Sequence, residues 1–595
     1  MTAAGETPGA DERELAARVL DTLLREDYGG LSRLVLDLPA GGGQVLDLPS
    51  GDGGHGPVLP LERDGFLADL RIRRSAASAP CPPLTLDDVA AALAYISDPL
   101  DGAGVAAFAA ECREALATLR LRERHLPAAQ RRLGQRWQAG PDALSGPRGL
   151  LAYESLAATL PHPAYPTTES RPGFSDDDSL RYAPEYAPEF ELRWVAVPRS
   201  SLVAAGRPDR PPGWPAPPEV GLPESIAATH ELMPVHPLTA RDALASALAE
   251  TGTSADGGTS VAPGTSLCVT PTLSIRTVAV SDRPDEHVKL PLPTSTLGRL
   301  NRRSIQPGTL ADGALVRGVL AAAVRADRLL ADGLLLADEG SYAHAGHPYL
   351  GYLLRRLPPG LGRCRIVPVA ALLAASPVTG LGTGRPMVIE ELAGWAGYRD
   401  LAGLFADYLA VLFGVHVRLF ARYGIALEAH QQNTALVLGP PGDAPGLRLL
   451  VKDFDGTLIH VPRLAAALGR DAPDGPAFAD QRLLTRSDDA LADVFITITV
   501  HLCAGALAFG LARRGAAPLP DLLALVRREL TAALDEHARW PATAVLRARV
   551  LDADRLPGKS MVTAGTLMAK ARTGASDINK FYGTNGPNYL KAPAA

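Results

Sequence analysis

Cysteine is scarce in this chain, with five in 595 residues: Cys81, Cys112, Cys268, Cys364 and Cys503. The count is odd and no two stand at the short spacings of a zinc or iron–sulfur site. Neither a disulfide framework nor a cysteine metal centre therefore organises the fold, and a reducing cytoplasm is the expected compartment. Met1 to Leu15 is acidic and lacks the basic-then-apolar order of a secretory leader. No basic tract interleaved with aromatics is present and the formal net charge is −6, which argues against nucleic acid or an acidic membrane surface as partner. Also missing are a Walker phosphate loop, a Gly-x-Ser-x-Gly elbow and any internal repeat. One run, Val494 to Ala512, imitates a membrane span. It contains Thr497, Thr499 and His501 and ends at Arg513-Arg514, which fits a buried helix of a large core better.

The length is too great for one hydrophobic core, so roughly two to four domains are expected. With 46% hydrophobic and 21% charged residues, the composition is that of an ordinary globular protein. The patterning predicts an α+β chain. Helices are expected over Asp11–Arg25, from Thr85 onward and over Val105–Trp137, with short Gly-turned strands over Asp37–Leu70. This first part, residues 1–150, reads as α-rich and accessory, with Arg120, Arg122 and Arg124 on a solvated helix face. Residues 151–345 read as β-rich, including a strand at Leu192–Val197 and a Pro-rich stretch over Arg207–Glu224. Residues 346–595 read as mainly helical, after a helix at Ala311–Leu336 and a strand at Cys364–Leu373.

The most informative stretch runs from Glu428 to Asp455. His430 and Asn433 precede an aliphatic run, Thr434–Leu438. A Gly/Pro turn and a second run, Leu447–Val451, lead out to Asp453 and Asp455. Two short runs of this kind predict a two-stranded ribbon with all four polar side chains at one end. Carboxylates and an amide oxygen are hard ligands of the kind Mg²⁺ takes beside nucleotide phosphates. The pattern parallels the His, Asn and Asp-Phe-Gly set with which protein kinases hold metal-bound ATP. A plain polar hairpin end is the alternative.

Two further segments offer cations. In Thr270-Pro-Thr272-Leu-Ser274-Ile-Arg276-Thr277, strand alternation is expected to put Ser274 and Arg276 on one face, a pair suited to phosphate oxygens. After a turn at Arg283-Pro-Asp285, His287-Val-Lys289-Leu places a Lys inside an apolar strand. That is unusual unless it points into a polar site, an exposed sheet edge being the other reading. Arg299, Arg302 and Arg303 follow. Upstream, Pro161-His162-Pro163-Ala-Tyr165-Pro166 is stiffened by its prolines for lying over a ligand, or is simply a surface loop.

In this order, the segments resemble the IucA/IucC-type siderophore synthetases, which act independently of nonribosomal peptide synthetases. The likeness runs from about Leu150 to the C-terminus. Pro161-His162-Pro163 through Phe174 resembles the family's His-Pro-x-His-Pro-x-x-Lys segment, and Met233-Pro-Val-His236-Pro237 a second His-Pro element. Ser274 to Thr277 and Lys289 are similar to its nucleotide-binding strands. Glu428 to Asn433 and Lys452 to Gly456 are similar to its central motifs. The resemblance implies a cupped-hand architecture: an N-terminal thumb-like domain, central fingers and a C-terminal palm with a kinase-like hairpin. It implies ATP and Mg²⁺ as cofactors and a small-molecule carboxylate, often citrate, that is adenylated and then condensed with an amine or hydroxylamine. Ser274, Arg276, Thr277, Lys289, Asn433 and Glu428 would bind ATP, and Asp453 and Asp455 the metal. His430 and Arg303, or Arg302, would contact the α-phosphate and the carboxylate. His162, Tyr165, Glu169, Arg171 and Lys559 would face the acyl substrate. A homodimer without nucleic-acid or membrane partners is expected.

Two departures stand out. Tyr165 replaces the family's second His and Glu169 its Lys. Such a charge reversal would make a polyanion less welcome and suggests a donor other than citrate, unless Arg171 or another cation substitutes. A kinase-like phosphotransferase and a non-catalytic paralogue are the rival readings.

Overall fold

The amphipathic helix Ala10–Arg25 starts on acidic residues and buries Leu15, Val19, Leu20 and Leu23 on one face. The next helix, Leu86–Ile96, begins at a reciprocal cap in which Thr85 and Asp88 each accept from the other's backbone N–H. The long helix Gly102–Gln138 packs on these two helices, which in turn pack on a four-stranded antiparallel sheet. Its strands are Val35–Asp37, Gln44–Pro49, His55–Arg63 and Leu70–Ile72. The computed structural model describes residues 9–39, 42–51, 53–74, 83–206, 213–252, 258–377, 385–440, 442, 446–574 and 580–591. Cys81 and residues 207–212 of the Pro-rich stretch lie outside them.

The same N-terminal core takes in Val562 and Leu567 from the far end of the chain. Glu26, itself buried, accepts the N–H groups of Val562 and Thr563 at 3.2 and 2.8 Å. Asp101 accepts from Ala569 N at 2.9 Å and pairs with Arg572.

Among the described residues, a second sheet holds eight strands, all antiparallel. In order they are Val203–Ala205, Asp338–His344, Gly351–Arg356, Arg283–Lys289, Thr277–Val280, Ser260–Pro271, Phe190–Pro198 and His230–Val235. Two expectations need correction here. Ser274–Arg276 is not a strand. It is the turn joining Ser260–Pro271 to Thr277–Val280, with Ile275 in the left-handed region at φ +60°. Arg283-Pro-Asp285 is not the turn between strands but part of Arg283–Lys289, where the register shifts by a bulge.

The expected ribbon is also larger than two strands. Thr434–Leu438 and Arg448–Val451 pair antiparallel, but Arg365–Pro368 and Leu334–Leu336 flank them in a four-stranded sheet. Leu334–Leu336 comes from the segment expected to be one helix over Ala311–Leu336. That helix stops at Ala326 because Asp327 turns extended and caps the next short helix through Leu329 N, while pairing with Arg418 and Arg422. The strand expected over Cys364–Leu373 is confined to Arg365–Pro368, followed by a short 3₁₀ turn. Behind this sheet lie Leu401–Arg418, Leu519–Glu536 and the apolar segment Asp488–Arg513. The last is long and apolar enough to cross a bilayer, yet 94% of its apolar window is buried inside the protein.

Candidate active site

One carboxylate fixes two walls of a cleft. Glu154, on the apolar helix Gly146–Ala157, is fully buried. It pairs with Lys452, the residue before Asp453, and accepts from the backbone N–H of Leu273 at 3.2 Å, just before Ser274. The turn that carries Ser274 and the end of the Arg448–Val451 strand are thereby held by a single side chain. Glu339 performs a similar task for Asp453. It accepts the Asp453 N–H at 2.9 Å and pairs with the buried Arg355. Asp453 has φ +66°, a left-handed conformation that a non-glycine residue keeps only when its surroundings enforce it.

The cavity between these walls has a volume of about 910 Å³, at the upper end of ligand-sized sites. Lys289, 5% exposed at its side chain, enters from the eight-stranded sheet. Its Nζ lies 2.6 Å from Asp453 Oδ1 and 3.2 Å from Asp455 Oδ2. Arg276 and Arg303 line the same cavity. Arg276 donates to Ser304 O at 2.7 Å, and Arg303 is oriented by Thr296. Burial opposes ionisation of Asp453, but Lys289, Arg355 and Arg276 outweigh it and hold its carboxyl well below the usual carboxylate range. Burial first, and Arg276 beside it, draw the Arg303 guanidinium down to about 9. This cation is carried at a cost that an anion in the cavity would relieve. Arg302 also lines the cavity and is exposed.

His430 sits across from these groups. Burial lowers its pKa, with Glu428 pulling the other way, which favours the neutral ring. The Asn433 amide lies 3.4 Å from His430 Nε2 and donates to Glu428 O at 3.3 Å. Glu428 pairs with Lys559 at 2.9 Å. Gly456 backs this pair, since a Cβ there would meet Glu428 Cγ at 2.8 Å. His162 accepts the N–H groups of Ala164 and Tyr165 on Nδ1 at 3.1 and 3.0 Å. Burial and the nearby His430 lower it to about 3, so it is a neutral imidazole with Nε2 as its remaining polar atom.

Several expected positions do other work. Thr277 is buried behind the turn, its hydroxyl 3.2 Å from Ser274 Oγ, and so supports Ser274. Tyr165 is 1% exposed and gives its hydroxyl to Glu111 at 2.7 Å, fastening the 161–171 loop to the helix Gly102–Gln138. Arg171 does not stand in for a missing Lys, because both arms of its guanidinium bind Glu185 at 2.8 and 3.0 Å. Glu169 is buried on the cavity wall between Arg18 and Arg122, at 3.6 and 3.8 Å. Arg122 is therefore not on a solvated face, although Arg120 and Arg124 are. The second His-Pro element contributes structure: His236 is fully buried between the rings of Tyr182 and Phe190.

Among the described residues no three or more His, Cys, Asp or Glu side chains converge as a metal cage. Two carboxylates meeting at one cationic point suit instead a metal that takes its other ligands from a nucleotide and water.

Residues 149–374 match the IucA / IucC family, and residues 404–573 match a family described as ferric iron reductase FhuF-like transporter. The chain is 28% identical over 204 residues to staphyloferrin A synthase of Staphylococcus aureus, covering 32% of each. It is 26% identical over 331 residues to the uncharacterized protein y4xN of Sinorhizobium fredii, covering 49% of each. It thus spans about a third of the first of these curated relatives and about half of the second. Solved structures match over nearly the whole chain. The petrobactin biosynthesis protein AsbB of Bacillus anthracis aligns with TM-score 0.74 at 16% identity, over 98% of this chain and 96% of that one. The ATP-bound aerobactin synthetase IucA of Klebsiella pneumoniae aligns with TM-score 0.67 at 18% identity, over 98% and 100%. These likenesses establish the mixed α+β fold. The segment that carries His162, Ser274, Arg276 and Lys289 is the one that matches the IucA / IucC family.

Proposed function

We propose that the chain is an ATP-dependent ligase that adenylates a small carboxylic acid and condenses it with an amine or hydroxylamine, in siderophore or related biosynthesis. A carboxylate oxygen attacks the α-phosphate and the bond to the β-phosphate breaks, releasing pyrophosphate. The amine nitrogen then attacks the acyl carbon, loses a proton and expels AMP. The observation that supports this reading is the arrangement of Lys289, Arg276 and Arg303 opposite Asp453 and Asp455 in one cavity. An anion attacking an anionic phosphate needs fixed cations to offset developing charge, and positioning more than a protein nucleophile.

In this proposal Ser274, Arg276, Lys289, Glu428 and Asn433 bind ATP, with Thr277 behind Ser274. Asp453 and Asp455 would hold Mg²⁺, a reading supported by the ammonium of Lys289 lying within reach of both carboxylates. The metal's contribution would be to neutralise phosphate charge. Arg303 and His430 would meet the α-phosphate and the incoming carboxylate. His162 and Lys559 lie on the acyl side. The working form would be a cytoplasmic homodimer.

A phosphotransferase is the second reading, because a strained Asp453 beside a strand lysine would equally hold metal-bound ATP as kinases do. The products separate the two. Purified protein given ATP, Mg²⁺, hydroxylamine and a panel of citrate, 2-oxoglutarate, succinyl-hydroxamates and amino-acid-like carboxylates is expected to form AMP and pyrophosphate. ADP as the sole nucleotide product overturns the ligase reading.

A further inference from the structure

Three helices, Pro307–Ala326, Leu401–Arg418 and Leu519–Glu536, end around one pocket of about 400 Å³. It shares no lining residue with the cavity of Lys289 and Asp453. We infer that this pocket is a second ligand site, for a phosphate-type oxyanion held by Arg418, Arg422, Arg539 and His537.

Three arginines meet two carboxylates here, Asp327 and Glu536, and a fourth, Arg328, stands exposed at the rim beside Asp332. The lining is therefore positive. Asp327 does not consume the arginines. Its side chain is 1% exposed, and its Oδ1 accepts the Leu329 N–H at 3.2 Å. Its Oδ2 accepts from Arg418 Nε at 2.5 Å, Arg422 Nη1 at 2.8 Å and the Tyr423 hydroxyl at 3.2 Å. One nitrogen of each guanidinium is spent, which aims the two arginines and leaves their other N–H groups for a further acceptor. The Trp540 ring steadies the cluster, with the guanidinium carbons of Arg418 and Arg539 at 4.3 and 4.0 Å from its centroid. Arg539 is exposed and has no hydrogen bond or ion pair with any described residue.

The residue that points to a ligand is His537. It lines the pocket and is 1% exposed, yet neither ring nitrogen has a hydrogen-bond partner. Its ring only meets the Trp540 ring edge-on, at 5.4 Å. An imidazole always carries at least one N–H, and a buried donor without an acceptor is uncommon. The helix end itself is not that acceptor's rival, since His537 O takes the Trp540 N–H at 3.1 Å and the Thr543 hydroxyl at 3.4 Å. Donors that converge from three separate elements suit a tetrahedral ion with several oxygens. A carboxylate needs only one planar guanidinium fork.

Calorimetric titration of the full chain at low salt with inorganic phosphate, pyrophosphate, glycerol 3-phosphate and acetate tests this. The wild type is expected to bind the phosphates and to bind acetate about tenfold more weakly or worse. Arg539→Gln removes an exposed side chain and should keep the melting temperature, but weaken phosphate by about tenfold, as for a lost charged donor. Arg539→Lys should recover part of that loss. Lys289→Met should leave this binding event unchanged, because it alters only the larger cavity. Tighter binding of the ester than of the inorganic ions would assign the pocket to a phosphorylated metabolite, and the reverse order to phosphate or pyrophosphate itself; both support the site. No phosphate binding, equal affinity in the wild type and R539Q, loss in K289M alone, or acetate matching phosphate would each overturn the inference.

Discussion

The ammonium of Lys289 lies 2.6 Å from Asp453 Oδ1, joining the end of one strand to the segment just past a strand of another sheet, 164 positions away. Lys289 also reaches Asp455. Replacing it by Met removes the cation that most lowers the Asp453 carboxyl and one of those facing the expected triphosphate. Lys289→Met should cut pyrophosphate release by about 10²- to 10³-fold, the usual effect of deleting one such electrostatic contact. A steady-state pyrophosphate assay checks this, with circular dichroism confirming the fold.

The acidic pair also sets the metal requirement. Chelation should stop turnover and added Mg²⁺ restore it. Asp455→Asn keeps shape but removes a negative charge, and should raise the half-saturating Mg²⁺ by about tenfold or more. Titrating Mg²⁺ at fixed ATP measures the shift. An unchanged requirement would remove Asp455 from the metal site.

Glu154 bears on stability and on the site together, because it binds both Lys452 and the Leu273 N–H. Losing one partner of a buried ion pair costs about 3–5 kcal/mol. Glu154→Ala should therefore lower the melting temperature clearly and weaken ATP binding. Glu154→Gln, which retains an acceptor for Leu273, should do less of both. Differential scanning calorimetry and a nucleotide titration compare the two.

Acid should destabilise the protein through its buried neutral histidines. Burial lowers His236, which does not line the cavity, from 6.5 to about 3. Between those values the unfolded chain binds a proton that the folded chain refuses, so stability is full above about pH 6.5 and declines as pH falls toward 3. One such group steepens the decline by up to about 1.4 kcal/mol per pH unit. His236→Gln should be less stable at neutral pH yet show a shallower loss between pH 6.5 and 4, read from denaturant melts. An unchanged slope would remove His236 from this role.

How far the sequence carried depended on where the signal lay. Lys289 was legible because a cation inside an aliphatic strand needs a polar destination. Asp453 and Asp455 were legible because they sit just past such a strand. Ser274 and Arg276 line the cavity, but on a turn and not on the expected strand: a left-handed Ile275 makes that turn, which apolar alternation does not reveal. Glu154 was missed, although a carboxylate in the otherwise apolar Gly146–Ala157 helix is the same kind of signal as Lys289. Glu339 carried no comparable mark. Arg122 looked solvated because it lies in an arginine run. Its three-turn spacing from Glu111 was visible, but only the docked 161–171 loop gives that face its meaning.

The union of Glu26 with Val562 and Thr563, across 536 and 537 positions, has a consequence for how the protein is made. The core around Glu26 lacks its closing segment until the more than 530 residues between them have been translated. At roughly 5–20 residues per second that wait lasts about half a minute to two minutes. During it the apolar seat of Val562 and Leu567 stands open, making the nascent N-terminal region a natural client for chaperones that shield exposed hydrocarbon surface.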